Sequence, residues 1–164
     1  MAEHHAEHQW DNMKGYAWIK DMPSHLLINF VRTYNMIEFI LNKHYQEYGL
    51  SETKFNALFL LYKASDGLLL SELGDLMLVT RANITGLMDR LEKDELVQRL
   101  YHPNDRRSII AKITEKGREI IEKIIPRHIK INQELVSNLS EEEKKIANTI
   151  LEKLYQHLLS MANK

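Results

Sequence analysis

The chain has 164 residues, 44% apolar and 27% charged, with six glycines, three prolines, no cysteine and a net charge of −1. That size suits one domain with a real core, and the composition excludes a disordered chain, a disulfide scaffold, zinc–thiolate sites and thiol redox sensing. No apolar run approaches the ~18 residues of a bilayer span, and Met1-Ala2-Glu3-His4-His5 lacks the basic and apolar regions of a secretion signal, so a cytoplasmic protein without a membrane partner is expected.

Residues 1–23 begin without helical periodicity, carry His4, His5 and His8, and read as a mobile arm. After Pro23, Ser24 is placed to cap a helix running to about Tyr48, with Leu27, Phe30, Val31, Tyr34, Ile37, Leu41, His44 and Tyr48 near one face, and Gly49 stops it. Ser51 opens a second helix through Lys63 with Phe55, Leu58, Phe59 and Tyr62 inward, and Asp66-Gly67 marks a turn. A short helix from Ser71 to Met77 offers Leu73, Leu76 and Met77 to the core. Thr80 can cap the next, Arg81 to about Asp94, in which Ile84, Leu87, Met88 and Leu91 form a stripe at helical spacing. Two short helices joined by a few residues, the second amphipathic, follow the helix-turn-helix plan.

The period then changes. Leu96–Tyr101 and Ser108–Ile113 are rich in β-branched and aromatic residues, and His102–Arg107 between them is turn-forming, which predicts a β-hairpin with a charged tip: a wing. Thr114 begins a long helix with Ile120, Ile121, Ile124 and Ile125 inward. Pro126 is expected to kink or interrupt it, with the pattern resuming at Ile129 and continuing through Leu135 and Leu139. Ser140 and Glu143 form a capping box for a last helix carrying Ile146, Ala147, Ile150, Leu151, Leu154 and Leu158.

Charge is uneven along this order: −4 over residues 1–80, +3 over 81–118 and zero over 119–164. Val97–Arg118 alone holds Arg99, Arg106, Arg107, Lys112, Lys116 and Arg118 against Asp105 and Glu115, the kind of local basic stripe that phosphate binding needs. With its stripe buried, the Arg81–Asp94 helix turns Ala82, Asn83, Thr85, Gly86, Asp89, Arg90 and Lys93 outward, and Arg81 flanks its start. Short polar residues there suit a major groove about 12 Å wide; Arg81 matches guanine, Asn83 adenine, and Thr85 a base edge or thymine methyl. Gly86 costs about 1 kcal/mol of helix propensity relative to alanine, which is easier to understand if something packs close. A solvated helix would carry a similar face. Arg106 and Arg107 on a rigid projection change the balance, because arginine is the side chain that enters narrow, electronegative minor grooves.

From Leu70 to Gly117 the chain resembles the MarR family of transcriptional regulators. The resemblance is carried by Ser71-Glu72-Leu73, by Leu87-Met88-Asp89-Arg90-Leu91-Glu92-Lys93, by Asp105-Arg106-Arg107-Ser108 and by Ile113-Thr114-Glu115-Lys116-Gly117. Asp105 and Arg107 match the family's Asp-x-Arg wing signature, which implies that the arginine helps the wing engage DNA and the aspartate helps fix it. One departure is Gly86, where many relatives carry arginine or another large residue, so base preference does not transfer. The DNA-contacting candidates are therefore Thr80, Arg81, Asn83, Thr85, Gly86, Arg90, Arg106 and Arg107, with Asp105 as support.

The family is dimeric. The resemblance implies a fold that is mainly α with a small β-hairpin wing: a winged helix-turn-helix lobe over 51–114 between a dimerisation helix at 24–50 and C-terminal dimerisation helices at 115–164. Independently, the last two helices are too apolar for a monomer to cover, and a two-fold pair is the commonest solution. Two recognition helices about 34 Å apart would read a pseudo-palindrome in double-stranded DNA. The expectation is a homodimeric regulator, a repressor in the first instance. The resemblance further implies a cleft for a small aromatic or amphipathic effector, for which Arg32, Tyr34, His44, Tyr48 and Tyr62 are candidates, although each also suits an ordinary core or surface role. No cofactor or metal is expected: His4, His5 and His8 sit on the arm, and His44 and His128 are isolated in sequence. A metal-responsive regulator of the same fold and a winged-helix protein-interaction module are the alternatives. An enzyme is disfavoured, since no phosphate loop, HExxH or activated nucleophile is present.

Overall fold

The computed structural model describes residues 21–103 and 105–162. Of the arm read over residues 1–23, residues 1–20 with His4, His5 and His8 lie outside the described residues, as do Asn104 and the Arg106 side chain, whereas Met22 and Pro23 are helical. The chain divides into two compact units, residues 1–40 and 41–164. Helix α1 (Met22–Gln46) runs across that division. Its cap is Asp21 and not Ser24: Asp21 Oδ1 accepts from the Ser24 N–H at 2.9 Å. Pro23 thereby falls in the first turn, where a missing N–H costs nothing. Leu26, Leu27, Phe30, Val31 and Tyr34 in the first unit are all exposed.

In the second unit, α1 contributes buried Leu41, His44 and Tyr45 and ends in a turn closed by Gly49, at φ +71. Ser51 caps α2 (Glu52–Lys63) by accepting from the Lys54 N–H, and Phe55, Ala57, Leu58 and Leu61 are its buried face. Gly67 has φ +86, and a Cβ there would collide with the Ala111 carbonyl, so only glycine lets the chain cross so near. The crossing delivers β1 (Leu68–Leu69), which pairs antiparallel with Ala111 and Ile110. The sequence reading had no place for this strand. Two consecutive leucines show no alternation, and β1 exists through its partner strand alone.

Helix α3 (Leu70–Leu76) buries Leu73 and Gly74. Leu76, expected inward, is exposed, because the helix is too short to repeat its face and Met77, just past its end, packs on the core instead. Thr80 caps α4 (Arg81–Lys93) through the Asn83 N–H, and Ile84, Leu87, Met88 and Leu91 are all buried, as their spacing requires. Strands β2 (Val97–His102) and β3 (Asp105–Ile113) complete a three-stranded sheet in the order β1-β3-β2. The turn is therefore shorter than the sequence suggested. His102 pairs with Asp105 and Tyr101 with Ile109, so Asp105 belongs to the strand and the register breaks at a bulge that takes in Arg106, Arg107 and Ser108. A hairpin edge in solvent tolerates polar residues that read as turn.

Thr114 caps α5 (Glu115–Leu135) by accepting from the Gly117 N–H at 3.1 Å. Pro126 lies inside α5 without interrupting it. The lost N–H is local, while Ile121 and Ile124 before it and Ile131 and Leu135 after it pack on the core. Ser140 and Glu143 form the expected capping box, with Glu143 Oε2 accepting from the Ser140 N–H at 2.8 Å. It opens α6 (Glu141–Ala162), which buries no residue. Leu58, Leu61, Leu73, Ile84, Met88, Leu91, Ala111, Ile121 and Ile124 form a core fully closed to solvent that fixes α4 against the sheet. Among the described residues no helix is long and apolar enough to cross a membrane.

Candidate nucleic-acid interface

Because the apolar stripe of α4 faces the core, its other side is presented outward, with Arg81, Ala82, Asn83, Thr85, Asp89 and Arg90 exposed. The Thr80 hydroxyl is committed to the cap, accepting from Asn83 N–H at 3.3 Å. Thr85 donates its hydroxyl to the Arg81 carbonyl at 2.9 Å, which leaves both lone pairs of the oxygen able to accept. At Gly86 an added Cβ would meet only Arg90 Nη1, at 3.6 Å, an ordinary contact. The fold itself makes no demand for glycine there.

A concavity of about 420 Å³ lies between α3, α4 and the sheet, and Arg81, Thr85, Arg99, Arg107 and Ser108 are among its lining residues. It brings together three of the sequence candidates, Arg81, Thr85 and Arg107. Asn83, Gly86 and Arg90 sit on α4 outside its lining. Asp105 accepts from the Arg107 N–H at 3.0 Å and from the Ser108 hydroxyl at 2.6 Å. The serine hydroxyl first, and the backbone N–H second, hold its carboxyl below the usual carboxylate range. The carboxylate thus organises the strand on which Arg107 sits.

The basic stripe is narrower than its composition. Arg99 donates Nε to Glu92 at 2.9 Å and Nη2 to Glu92 at 2.6 Å and Asp89 at 2.7 Å, which raises its already high pKa. Lys116 pairs with Glu95 at 2.8 Å, and the Arg118 guanidinium lies 5.2 Å over the Tyr62 ring. Asp89, read as an outward residue of α4, is one arm of this pairing. The only sequence clue was the opposite charge of Glu92 and Arg99 across a turn, and it becomes visible once β2 is folded back along α4.

The effector candidates separate. Arg32 and Tyr34 belong to the first unit. His44 is 3% exposed, and among the described residues neither ring nitrogen makes a well-aligned hydrogen bond, the Ile124 backbone being close enough only to oppose the lowering of its pKa. Tyr48 meets it edge-on at 5.5 Å. Tyr62 instead donates to Glu122 at 3.3 Å. Two neighbours were not among these candidates, Tyr45 and His128. Tyr45 stacks on Phe55 at 4.3 Å, and its hydroxyl is hydrogen bonded to His128 Nδ1 at 3.1 Å. Tyr45 follows Leu41 by one helical turn, so the spacing could have found it; His128, on another helix, left no such signal. Burial first, and the Arg127 guanidinium second, lower the His44 pKa; burial and then His44 lower that of His128. Burial pushes the Tyr45 phenol up. Among the described residues no group of three metal-ligating side chains is present.

A family model described as the MarR family matches residues 50–109. The chain is similar to the HTH-type transcriptional regulator MhqR of Bacillus subtilis, 37% identical over 139 residues that cover 85% of this chain and 95% of that protein. It is also similar to the HTH-type transcriptional repressor YetL of the same bacterium, at 31% identity with 93% and 92% covered. Among solved structures, a mutant MarR from E. coli complexed with operator DNA superposes with a TM-score of 0.74 at 26% identity, covering 81% of this chain and 94% of that one. AbsC of Streptomyces coelicolor shares the fold at a TM-score of 0.80, with 23% identity and 87% and 98% covered.

Proposed function

The chain belongs to the MarR family of DNA-binding transcriptional regulators, and from that premise we propose that it acts as a homodimer that reads a pseudo-palindromic duplex and represses the adjoining genes. The observation that carries this reading is the shared concavity, in which Arg81 and Thr85 of α4 and Arg107 of β3 line one surface. A groove-reading helix and a wing arginine then approach one duplex from one side. In this reading Arg81, Asn83, Thr85 and Gly86 meet base edges, Arg90 meets phosphate, and Arg106 and Arg107 serve the minor groove. Thr80 acts through its cap and Asp105 through the strand it organises. The operator DNA in the MarR complex and the name of YetL as a repressor support the partner and the sign of the effect.

The exposed Ile146, Ile150, Leu151 and Leu158 of α6 support the homodimer, since a stable soluble monomer rarely leaves so apolar a face uncovered. The division of labour follows: dimerisation by 24–50 and 115–164 and DNA binding by 51–114, with the arm of 1–23 shortened because Met22 and Pro23 already belong to α1. Release by a small aromatic or amphipathic effector is supported by His44, a buried ring against Tyr48 whose nitrogens make no well-aligned hydrogen bond among the described residues.

The test is direct. Duplexes enriched from a randomised pool by the wild-type protein are titrated at several salt concentrations. Affinity should fall steeply with salt, and Arg107→Ala should weaken binding at least about tenfold and lower the log–log salt slope by about 0.9, as removal of one cation from the field of the groove's phosphates requires. Binding indifferent to salt refutes the reading.

A further inference from the structure

We propose that Arg99 is a positioning residue for DNA recognition: it holds the recognition helix α4 at a fixed angle to the wing by forking between two carboxylates of that helix, and makes no phosphate contact of its own. The inference rests on the DNA-binding reading above and deepens it.

The geometry is specific. Arg99 projects from β2, while Asp89 and Glu92 stand on α4, three residues and so nearly one turn apart on the same face. One guanidinium spans both: Nε and Nη2 reach Glu92 Oε2 at 2.9 and 2.6 Å, and Nη2 reaches Asp89 Oδ1 at 2.7 Å. The backbone joins in, with the Arg99 N–H donating to Glu92 Oε1 at 3.3 Å. A planar fork against two acceptors fixes angle as well as distance, which a single point charge does not.

Position and charge give the clamp its consequence. Arg99 lines the same concavity as Arg81, Thr85 and Arg107. Asp89 is 57% exposed along its side chain and lies on the outward face of α4. Without Arg99 the two carboxylates of α4 would lose the one group shown tying them to β2. With it, the guanidinium is occupied on the protein side. The clamp therefore affects which duplex fits, because α4 must enter one groove in register with the wing in the next.

The experiment compares Arg99→Gln, Arg99→Lys and Arg107→Gln on two probes, a duplex enriched from a random pool by wild-type protein and a scrambled duplex of equal length. Circular dichroism establishes folding of each variant. The expected result for Arg99→Gln is a tenfold or greater loss on the enriched duplex, a smaller loss on the scrambled one, and an unchanged salt slope on both. Arg107→Gln should instead lower the slope by about 0.9. Arg99→Lys keeps the charge but loses the fork, so the ratio of the two affinities stays depressed, and this variant carries the test should the glutamine variant fail to fold. A slope lowered by about 0.9 in Arg99→Gln, equal losses on both probes, or full restoration by lysine overturns the inference while leaving DNA binding intact. Wild-type protein that enriches no duplex overturns the DNA-binding reading and takes the inference with it.

Discussion

Gly86 occupies a helix face where the fold has room for a side chain, so its absence there is an expense without a structural return. Replacing it with alanine should raise stability by up to about 1 kcal/mol, read as a higher melting temperature, and should weaken duplex binding if DNA approaches this face closely. A stabilised Gly86→Ala variant with unaltered affinity would remove the close approach. The buried ring of His44 makes stability depend on pH. Burial holds this ring and that of His128 below the ordinary 6.5. The unfolded chain therefore binds protons first as pH falls, so the stabilising contribution is complete above about 6.5 and is lost progressively below it. The melting temperature should drop between pH 7.5 and 5.5, and a His44→Gln variant should drop less; parallel curves would show that this ring is not responsible. Residues of this kind were only half legible in sequence. Thr80, Ser51 and Thr114 announce their caps by their neighbours. Arg99, in contrast, reads as one more cation until β2 lies along α4, because a charge gives no sign of its partner across a turn.

Among the elements, α4 was the most legible, since four apolar residues at helical spacing leave one face to bury. β1 and the start of β3 were the least. A two-residue strand has no period, and the start of β3 carries turn-forming residues, with Asp105 paired to His102 and Arg106 and Arg107 in the bulge that follows. Pro126 shows a different limit: local rules foresaw a possible break, and packing on both sides overrode it. The junction into α5 depends on one glycine. A Cβ at Gly117 would strike the Leu96 carbonyl and the Ile113 side chain. Gly117→Ala should therefore cost about 1–3 kcal/mol of stability by overpacking, measured by denaturant unfolding. Thr114→Ala should cost about 1 kcal/mol, since it removes the cap and also the hydroxyl that donates to the Glu95 carbonyl at 2.7 Å.

For the whole molecule, the exposed face of α6 makes the strongest claim. The double variant Ile150→Asp and Leu151→Asp should yield a monomer in sedimentation experiments and lose most affinity for a two-half-site duplex, while each chain stays folded because neither side chain is buried. A dimer that persists would move the interface elsewhere. The corner between α4, β2 and α5 bears on how such a dimer could be controlled. There Thr114 N–H donates to the Leu96 carbonyl at 3.1 Å, Lys116 reaches the Asp94 carbonyl at 2.9 Å and the Glu95 carboxylate at 2.8 Å, and Gly117 admits no slack. Such a joint works as a welded crank and not as a hinge. In the proposed homodimer a rotation of α5 would swing the reading head bodily, and control would then act by altering the stride between the two heads along the duplex while each head keeps its shape.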